Sequence, residues 1–386
     1  MRRLGIAVIG FGWMGQAHSR SYRRIPMLFP DRIAEPDLVV CADPDPSRAE
    51  LATASFGFGE STPEWQRAIE HGDVDAVVIA APNMLHLEII EAATAAGKAV
   101  FCEKPVGGTP AQTLRADELA RAAGVITGVG YNYRWAPLVQ HARDLIRAGE
   151  LGTITNYRGR FFSMYGNDPM GLLSWRFQLD QAGHGVSTDL LSHAVDLAHF
   201  LVGPVTAVVG TTATFIPDRP LARPGAGSHY ARGAPGDPTG PVTNEDYVGA
   251  LVRFERGAVG TFESSRTLVG PESQHAFEVY GTHGALKWNL ERLNELQVYR
   301  AADHADTGYT TVFGGDRFPY HGNFVPGAAN PIGFEDLIAI EDHEFATAVA
   351  KNEPFAPGFA EAAAYVRVQQ ALLTSVETGS WQEVER

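Results

Sequence analysis

Residues 4–15 read Leu-Gly-Ile-Ala-Val-Ile-Gly-Phe-Gly-Trp-Met-Gly, and this stretch decides the fold of the first part of the chain. The apolar run 4–9 has strand composition. It passes directly into Gly10-Phe11-Gly12-Trp13-Met14-Gly15, a G-x-G-x-x-G, and a helical stretch over 15–24 follows. Glycines in that setting permit a tight turn and let backbone approach a pyrophosphate, which then sits on the helix N-terminus. Alone the motif is weak, because the chain holds 41 glycines. Its strand–loop–helix context makes it strong.

Outward from this loop the same alternation recurs. Apolar runs at 38–42, 76–81, 99–102 and 125–129 are separated by helical stretches at 47–56, 85–96 and 110–123. Near-continuous apolar strands alternating with helices predict a parallel sheet covered on both faces. Gly97 fits a left-handed helix cap, and Thr109-Pro110-Ala111-Gln112 fits a capping box with Pro at the first helical position. Residues 1–130 therefore read as a doubly wound α/β dinucleotide-binding domain.

The texture then changes. Over 131–386, strand segments at 154–163, 205–215, 247–254, 259–265, 277–280 and 286–290 are joined in part by short turns such as 255–257 and 281–284, which favours antiparallel hairpins. A helix is expected over 188–202, and two more near 335–351 and 359–377. This second part reads as an α+β domain for substrate binding and oligomerisation. Within it, 216–246 is rich in Pro and Gly and reads either as an excursion over the active-site mouth or toward a neighbouring subunit, or as a plain surface loop.

Composition excludes whole classes. At roughly 150 residues per domain, a 386-residue chain suggests two domains. A net charge of −14 argues against a nucleic-acid partner. Cys41 and Cys102 make neither a disulfide framework nor a zinc site, and read as small buried strand residues. The basic start Met1-Arg2-Arg3 resembles a signal peptide only until Gly10, Gly12 and Gly15 break the apolar stretch, and no apolar run reaches the ~18 residues a membrane span needs. A soluble, cytoplasmic protein with no membrane partner is expected.

Asp43 closes the second apolar run. An acid there accepts from a ribose diol and repels a 2′-phosphate, which favours NAD over NADP. Its distance from Gly15 exceeds the usual ~20 residues, so 26–36 is expected to be an inserted loop. Arg48 is close enough to serve a phosphate if the loop folds back.

Two further motifs point to a family. Ala81-Pro82-Asn83-Met84-Leu85-His86 closes the third apolar run, and Glu103-Lys104-Pro105 follows the next. Together with the glycine loop they make the chain resemble, over essentially its whole length, the Gfo/Idh/MocA family of dehydrogenases. The resemblance implies an N-terminal Rossmann domain and a C-terminal α+β domain with a large, mostly antiparallel open sheet. It also implies NAD, with NADP second, as cofactor; a sugar or cyclitol as substrate; and a homodimer or homotetramer. By the same match, Lys104 bridges the nicotinamide ribose and the substrate hydroxyl, beside Glu103, while Pro82, Asn83 and His86 line the nicotinamide side. Asp189 holds substrate and His193 is the acid/base. Trp175-Arg176 stands near the nicotinamide, and Tyr131-Asn132-Tyr133-Arg134 supplies Asn132 to the cofactor and Tyr133 and Arg134 to the substrate. Where the family has a glycine run, this chain has Ala182-Gly183-His184-Gly185, so an unusual pocket is expected there. Short segments such as 173–178 and 216–220 look most like the levoglucosan dehydrogenase branch, which oxidises a pyranose C3 hydroxyl. Inositol 2-dehydrogenase and a non-catalytic NAD(P)-binding sensor are the alternatives.

The spacing supports this independently. Residues 189, 193 and 196 fall at i, i+4 and i+7 on one helical face. Oxidising a secondary alcohol needs a base of near-neutral pKa, for which histidine is suited, and a cation for the developing alkoxide, which Lys104 supplies. The plain alternative is a buried Asp189–His193 pair joining helix to sheet. Trp135, Trp175, Tyr133 and Tyr165 are candidate sugar platforms or else core and interface aromatics. His71, His141 and His199 read as ordinary surface or packing residues. Glu341-Asp342-His343-Glu344 lacks metal-site spacing and reads as a solvated acidic face, so no metal is expected.

Overall fold

The computed structural model describes residues 1–221, 231–301 and 307–385. The chain divides into two units, Met1–Ala136 with Gly315–Ala363, and Pro137–Gly314 with Ala364–Arg386.

The first unit begins with strand β1 (Arg2–Ile9) and helix α1 (Trp13–Leu28), then β2 (Ala34–Ala42), α2 (Pro46–Phe56), β3 (Glu60–Thr62), α3 (Trp65–Glu70), β4 (Ala76–Ile79), α4 (His86–Ala95), β5 (Ala99–Cys102), α5 (Pro110–Ala123) and β6 (Thr127–Val129). All pairings are parallel, in the order β3-β2-β1-β4-β5-β6. The pleat explains the continuous apolar runs. Leu4, Ile6 and Val8 face one cluster, with Phe101 and Phe345. Ala7 and Ile9 face the other, with Ile89, Ile90 and Phe359. The Thr109 capping box forms as expected, and both cysteines are buried and free.

The structure corrects the sequence reading at several places. The expected insertion over 26–36 is absorbed into regular structure: Pro26 lies inside α1 and β2 already starts at Ala34. Pro36 is tolerated in β2 because β3 pairs only with Val40–Ala42, so no strand claims the missing N–H on that side. The short β3 and α3 gave too weak a periodicity to be read. The acidic run Glu341–Glu344 is not a solvated face. Glu341 and Asp342 are fully buried, because their helix, Phe334–Lys351, packs along α1 between the apolar positions Leu337–Ile340 and Phe345–Ala346. That helix belongs to the first unit, although the sequence reading placed all of 131–386 in the second. Arg20 and Arg24, one turn apart on α1, pair with Glu335 and Asp336 at its start.

In the second unit, α6 (Pro137–Arg147) precedes β7 (Ile154–Ser163). Three helices follow, α7 (Leu179–Ala182), α8 (Val186–Asp189) and α9 (Leu191–Leu201), and then β8 (Val205–Ala213). A small ribbon of β9 (Asp218–Pro220) and β10 (Thr239–Pro241) comes next, followed by β11 (Tyr247–Phe254), β12 (Val259–Ser265), β13 (Ser273–Gly281), β14 (Gly284–Asn289), β15 (Glu295–Arg300), β16 (Thr310–Phe313) and β17 (Gln382–Glu383). Among the described residues β7, β8 and β11–β17 form a nine-stranded sheet, β16-β15-β14-β13-β7-β12-β11-β8-β17, antiparallel except between β12 and β7. The Pro/Gly segment 216–246 is thus partly regular, its flanks pairing as β9 and β10; residues 222–230 of it lie outside the described residues. The helix expected over 188–202 is interrupted at Leu190. That residue keeps right-handed helical dihedrals (φ −91°, ψ −41°), so the spacing from Asp189 to His193 carries across. No described helix is long and apolar enough to cross a membrane.

Phe345 is fully buried and packs edge-on to Phe101 and Phe355. Phe345→Ala is therefore expected to cost about 3–5 kcal/mol, read as a lower urea midpoint for the transition of the first unit.

Candidate active site

In the first unit the sequence-predicted residues gather at the C-terminal ends of β1, β2, β4 and β5. The strand order reverses between β1 and β4, which is where open α/β sheets bind ligands. Gly10 has φ +89°, and a Cβ there would lie 2.6 Å from the Ala81 nitrogen. A Cβ on Gly15 would lie 2.0 Å from the Gly10 carbonyl oxygen. Gly12 differs, since a Cβ there meets nothing within 4 Å, and as N-cap of α1 it offers no side chain to the first-turn amides. Phe11 turns its ring into the core against Phe56 and Phe58, so only its backbone faces the loop. Trp13 is exposed and stacks on Phe334, and Met14 is partly exposed.

Asp43 is 4% exposed. Its carboxylate accepts from the Phe11 amide (2.7 Å) and the Asp45 amide (2.9 Å). Arg48 stands 3.5 Å from Asp43 and 3.7 Å from Asp45, its charge already matched by two carboxylates. Pro82 is exposed and Asn83 buried. The His86 ring nitrogens lie 2.8 Å from the carbonyl oxygens of Ala81 and Pro105, so the buried ring braces the loop after β4 against the loop after β5. Glu103 accepts from the Lys104 amide at 3.1 Å. Asn132, Tyr133 and Arg134 form a buried 3-10 turn, and Trp135 belongs to the core cluster, stacked on Phe355. Trp135 is thus core rather than a sugar platform.

In the second unit, the Tyr165 hydroxyl donates to Asp189 at 3.0 Å. Burial, together with the Asp189 charge, raises its pKa far above the phenol range and keeps it a donor. His193 is 6% exposed, with the rings of Phe161 and His275 about 6 Å away. His275 stacks on Phe161 and is hydrogen-bonded to the His193 backbone; burial pushes its pKa down to about 3. Trp175 and Arg176 form a 3-10 turn with the guanidinium over the indole, 4.6 Å from its centroid; the Arg176 Nε is buried without a hydrogen-bond partner among the described residues.

Side chains that sequence reasoning missed hold these loops. Arg266 is buried, donates to Asp246 (2.7 Å) and to Asn244 Oδ1 (2.8 Å), and reaches the Arg176 carbonyl. Asn244 in turn donates to the carbonyls of Arg176 and Gly183. Gly183 needs φ +78°, and a Cβ on Gly185 would lie 2.0 Å from the Glu245 carbonyl oxygen, so His184 stands between two obligatory glycines, 3.8 Å from the Glu245 carboxylate. Burial pushes the Glu245 carboxyl up, but hydrogen bonds from His184 and Ser187 outweigh it and hold the pKa below the usual range. Single buried polar residues of this kind leave no periodic signal. The described residues hold no metal-binding group of His, Cys, Asp and Glu.

The Gfo/Idh/MocA oxidoreductase domain with NAD-binding Rossmann fold matches residues 4–131, and the family's C-terminal domain matches 139–287. Levoglucosan dehydrogenase of Pseudarthrobacter phenanthrenivorans is 38% identical over 386 residues, covering all of this chain and 99% of that one. The chain belongs to the Gfo/Idh/MocA family. A solved levoglucosan dehydrogenase in complex with NADH and levoglucosan matches with a TM-score of 0.93 at 36% identity, covering both chains fully. Inositol 2-dehydrogenase of Rhizobium meliloti is 25% identical over 96% of each chain.

As an oxidoreductase of this family, the chain uses NAD, and its residues fit that cofactor. The open space over Gly12, the uncapped first turn of α1 and the Asp43 carboxylate at the end of β2 would hold the pyrophosphate and ribose. Gly12→Ala should melt like the wild type yet bind NADH at least tenfold more weakly by fluorescence titration, because only the cradle is filled. Acid should destabilise the second unit. The folded-state pKa of His275 lies below its ordinary 6.5, so protons favour the unfolded chain, and the stabilisation present above pH 6.5 is lost progressively toward pH 3. Thermal melts between pH 7 and 5 should fall less steeply for His275→Phe than for the wild type.

Proposed function

We propose that the chain oxidises a secondary hydroxyl of a sugar or sugar derivative to a ketone, the target being a pyranose C3-type hydroxyl as in levoglucosan. The observation that carries this reading is the likeness to levoglucosan dehydrogenase, 38% identical over all of this chain and 99% of that one, combined with the presence of Lys104, Asp189 and His193.

In this reading His193 takes the hydroxyl proton as general base, a step worth typically 10²–10⁴-fold. The Lys104 ammonium stabilises the developing alkoxide. The Tyr165 hydroxyl donates to Asp189 and fixes that carboxylate, which accepts from a substrate hydroxyl. Bound NAD supplies the nicotinamide that accepts the hydride. Trp175 and Tyr133 offer ring faces to the sugar C–H surface, and Arg134 and Arg176 offer donors. The reading includes a homodimer or homotetramer, measured by sedimentation on the same preparations.

NADH absorbance with levoglucosan, glucose, glycosides and myo-inositol, run with NAD and NADP in parallel, tests the assignment. Turnover of levoglucosan or another pyranoside with NAD is expected. A preference for myo-inositol would move the substrate to cyclitols, and silence across the panel despite tight NADH binding would favour a sensor. Lys104→Ala and His193→Ala should each lower kcat by about 10²–10⁴; near wild-type kcat in either would remove that residue from its role.

A further inference from the structure

His18 lies one turn beyond the glycine loop on α1 and is fully buried. Its Nδ1 lies 2.9 and 3.1 Å from the two carboxylate oxygens of Asp342, on the helix Phe334–Lys351. Its Nε2 lies 3.1 Å from Glu103 Oε1. The other Glu103 oxygen accepts the Lys104 amide. Both ring nitrogens therefore face carboxylates, and a doubly protonated ring satisfies both. Burial works against that charge, but Asp342 and Glu103 outweigh it and raise the His18 pKa well above the ordinary range. Burial, with the charges of Glu103 and Asp342 acting the same way, pushes the neighbouring Glu341 carboxyl well up. The chain of contacts Asp342–His18–Glu103–Lys104 thus runs from a helix far along the sequence to the lysine, through α1.

We propose that His18 is a positioning residue for Lys104: anchored by Asp342, it fixes the Glu103 carboxylate, which holds the Lys104 backbone in place. A carboxylate at the end of a strand has free torsions, and a charge-assisted bond to a fully buried ring removes them. The ring sits on the helix that starts at the glycine loop, so one side chain locks that helix and the lysine loop in a single register. The proposal rests on the reading of Lys104 as the group that stabilises the alkoxide.

Two substitutions separate positioning from packing. His18→Gln keeps a donor where Nε2 stands, toward Glu103; His18→Asn keeps one where Nδ1 stands, toward Asp342. Amide hydrogen exchange at Lys104, which needs no substrate, should rise about tenfold in His18→Asn and stay within about threefold of wild type in His18→Gln. In the same variants kcat should fall about tenfold in His18→Asn and recover in His18→Gln, with KM for NAD unchanged in both. Equal losses in both variants that follow their melting temperatures, or unaltered Lys104 exchange in His18→Asn, would overturn the proposal. If His18→Asn does not fold, an unprotected Lys104 amide in folded His18→Gln overturns it equally. Retained kcat in Lys104→Ala would defeat the catalytic reading of the lysine while leaving the exchange contrast to judge the positioning.

Discussion

The first unit depends on one close approach. The Cβ position of Gly15 lies 2.0 Å from the Gly10 carbonyl oxygen, so only glycine lets α1 leave β1 at this angle. With that angle set, the first-turn amides of α1 open at the end of the sheet, where the strand order reverses between β1 and β4. The loops after β2, β4 and β5 arrive at the same edge because all the strands are parallel. Asp43, His86 and Glu103 each bind backbone there, so these loops are tied in place by hydrogen bonds rather than by side-chain packing alone.

The second unit meets the same need by a different device. Its turns at Trp175–Phe177 and Gly183–Gly185 have little regular structure, and a buried Arg266–Asp246 pair with Asn244 organises them. A buried ion pair adds little net stability, because desolvation offsets the attraction. Its value lies in geometry: five guanidinium donors in a fixed fork can dictate where several carbonyls sit. The Phe215 and Ile216 amides on the second Asp246 oxygen complete that carboxylate and fix where the β9 excursion begins.

Periodic features were legible in the sequence, and solitary buried polar groups were not. Apolar runs and glycine loops repeat, so β1, β4, β5 and the hairpin strands β11 and β12 could be read almost to the residue. The acidic run 341–344 looked solvated because its partner His18 lies more than 300 residues earlier and no local pattern links them. Asp189 and His193 were singled out by spacing and family likeness. Tyr165 was noted only as a ring, although its hydroxyl is what meets Asp189. Trp135 was over-read for the converse reason, since composition does not tell a core aromatic from an exposed platform.

Asp43 shows why bracing and binding need not compete for one residue. Each oxygen of a carboxylate carries two lone pairs. One on each is taken by the amides of Phe11 and Asp45, and these two bonds fix the plane of the group. In the proposed cofactor role of Asp43, a ribose diol would donate to the remaining lone pairs of a carboxylate already oriented by these two bonds. A free aspartate would lose rotamer freedom on binding; this one has lost it on folding, so the ordering cost does not fall on the cofactor. Arg48, held between Asp43 and Asp45, leaves the carboxylate rather than a cation to set the character of that position, and a 2′-phosphate would meet it unfavourably. If Asp43 takes the ribose as proposed, preference between the two nicotinamide cofactors would follow from the same hydrogen bonds that hold the glycine loop against the second strand.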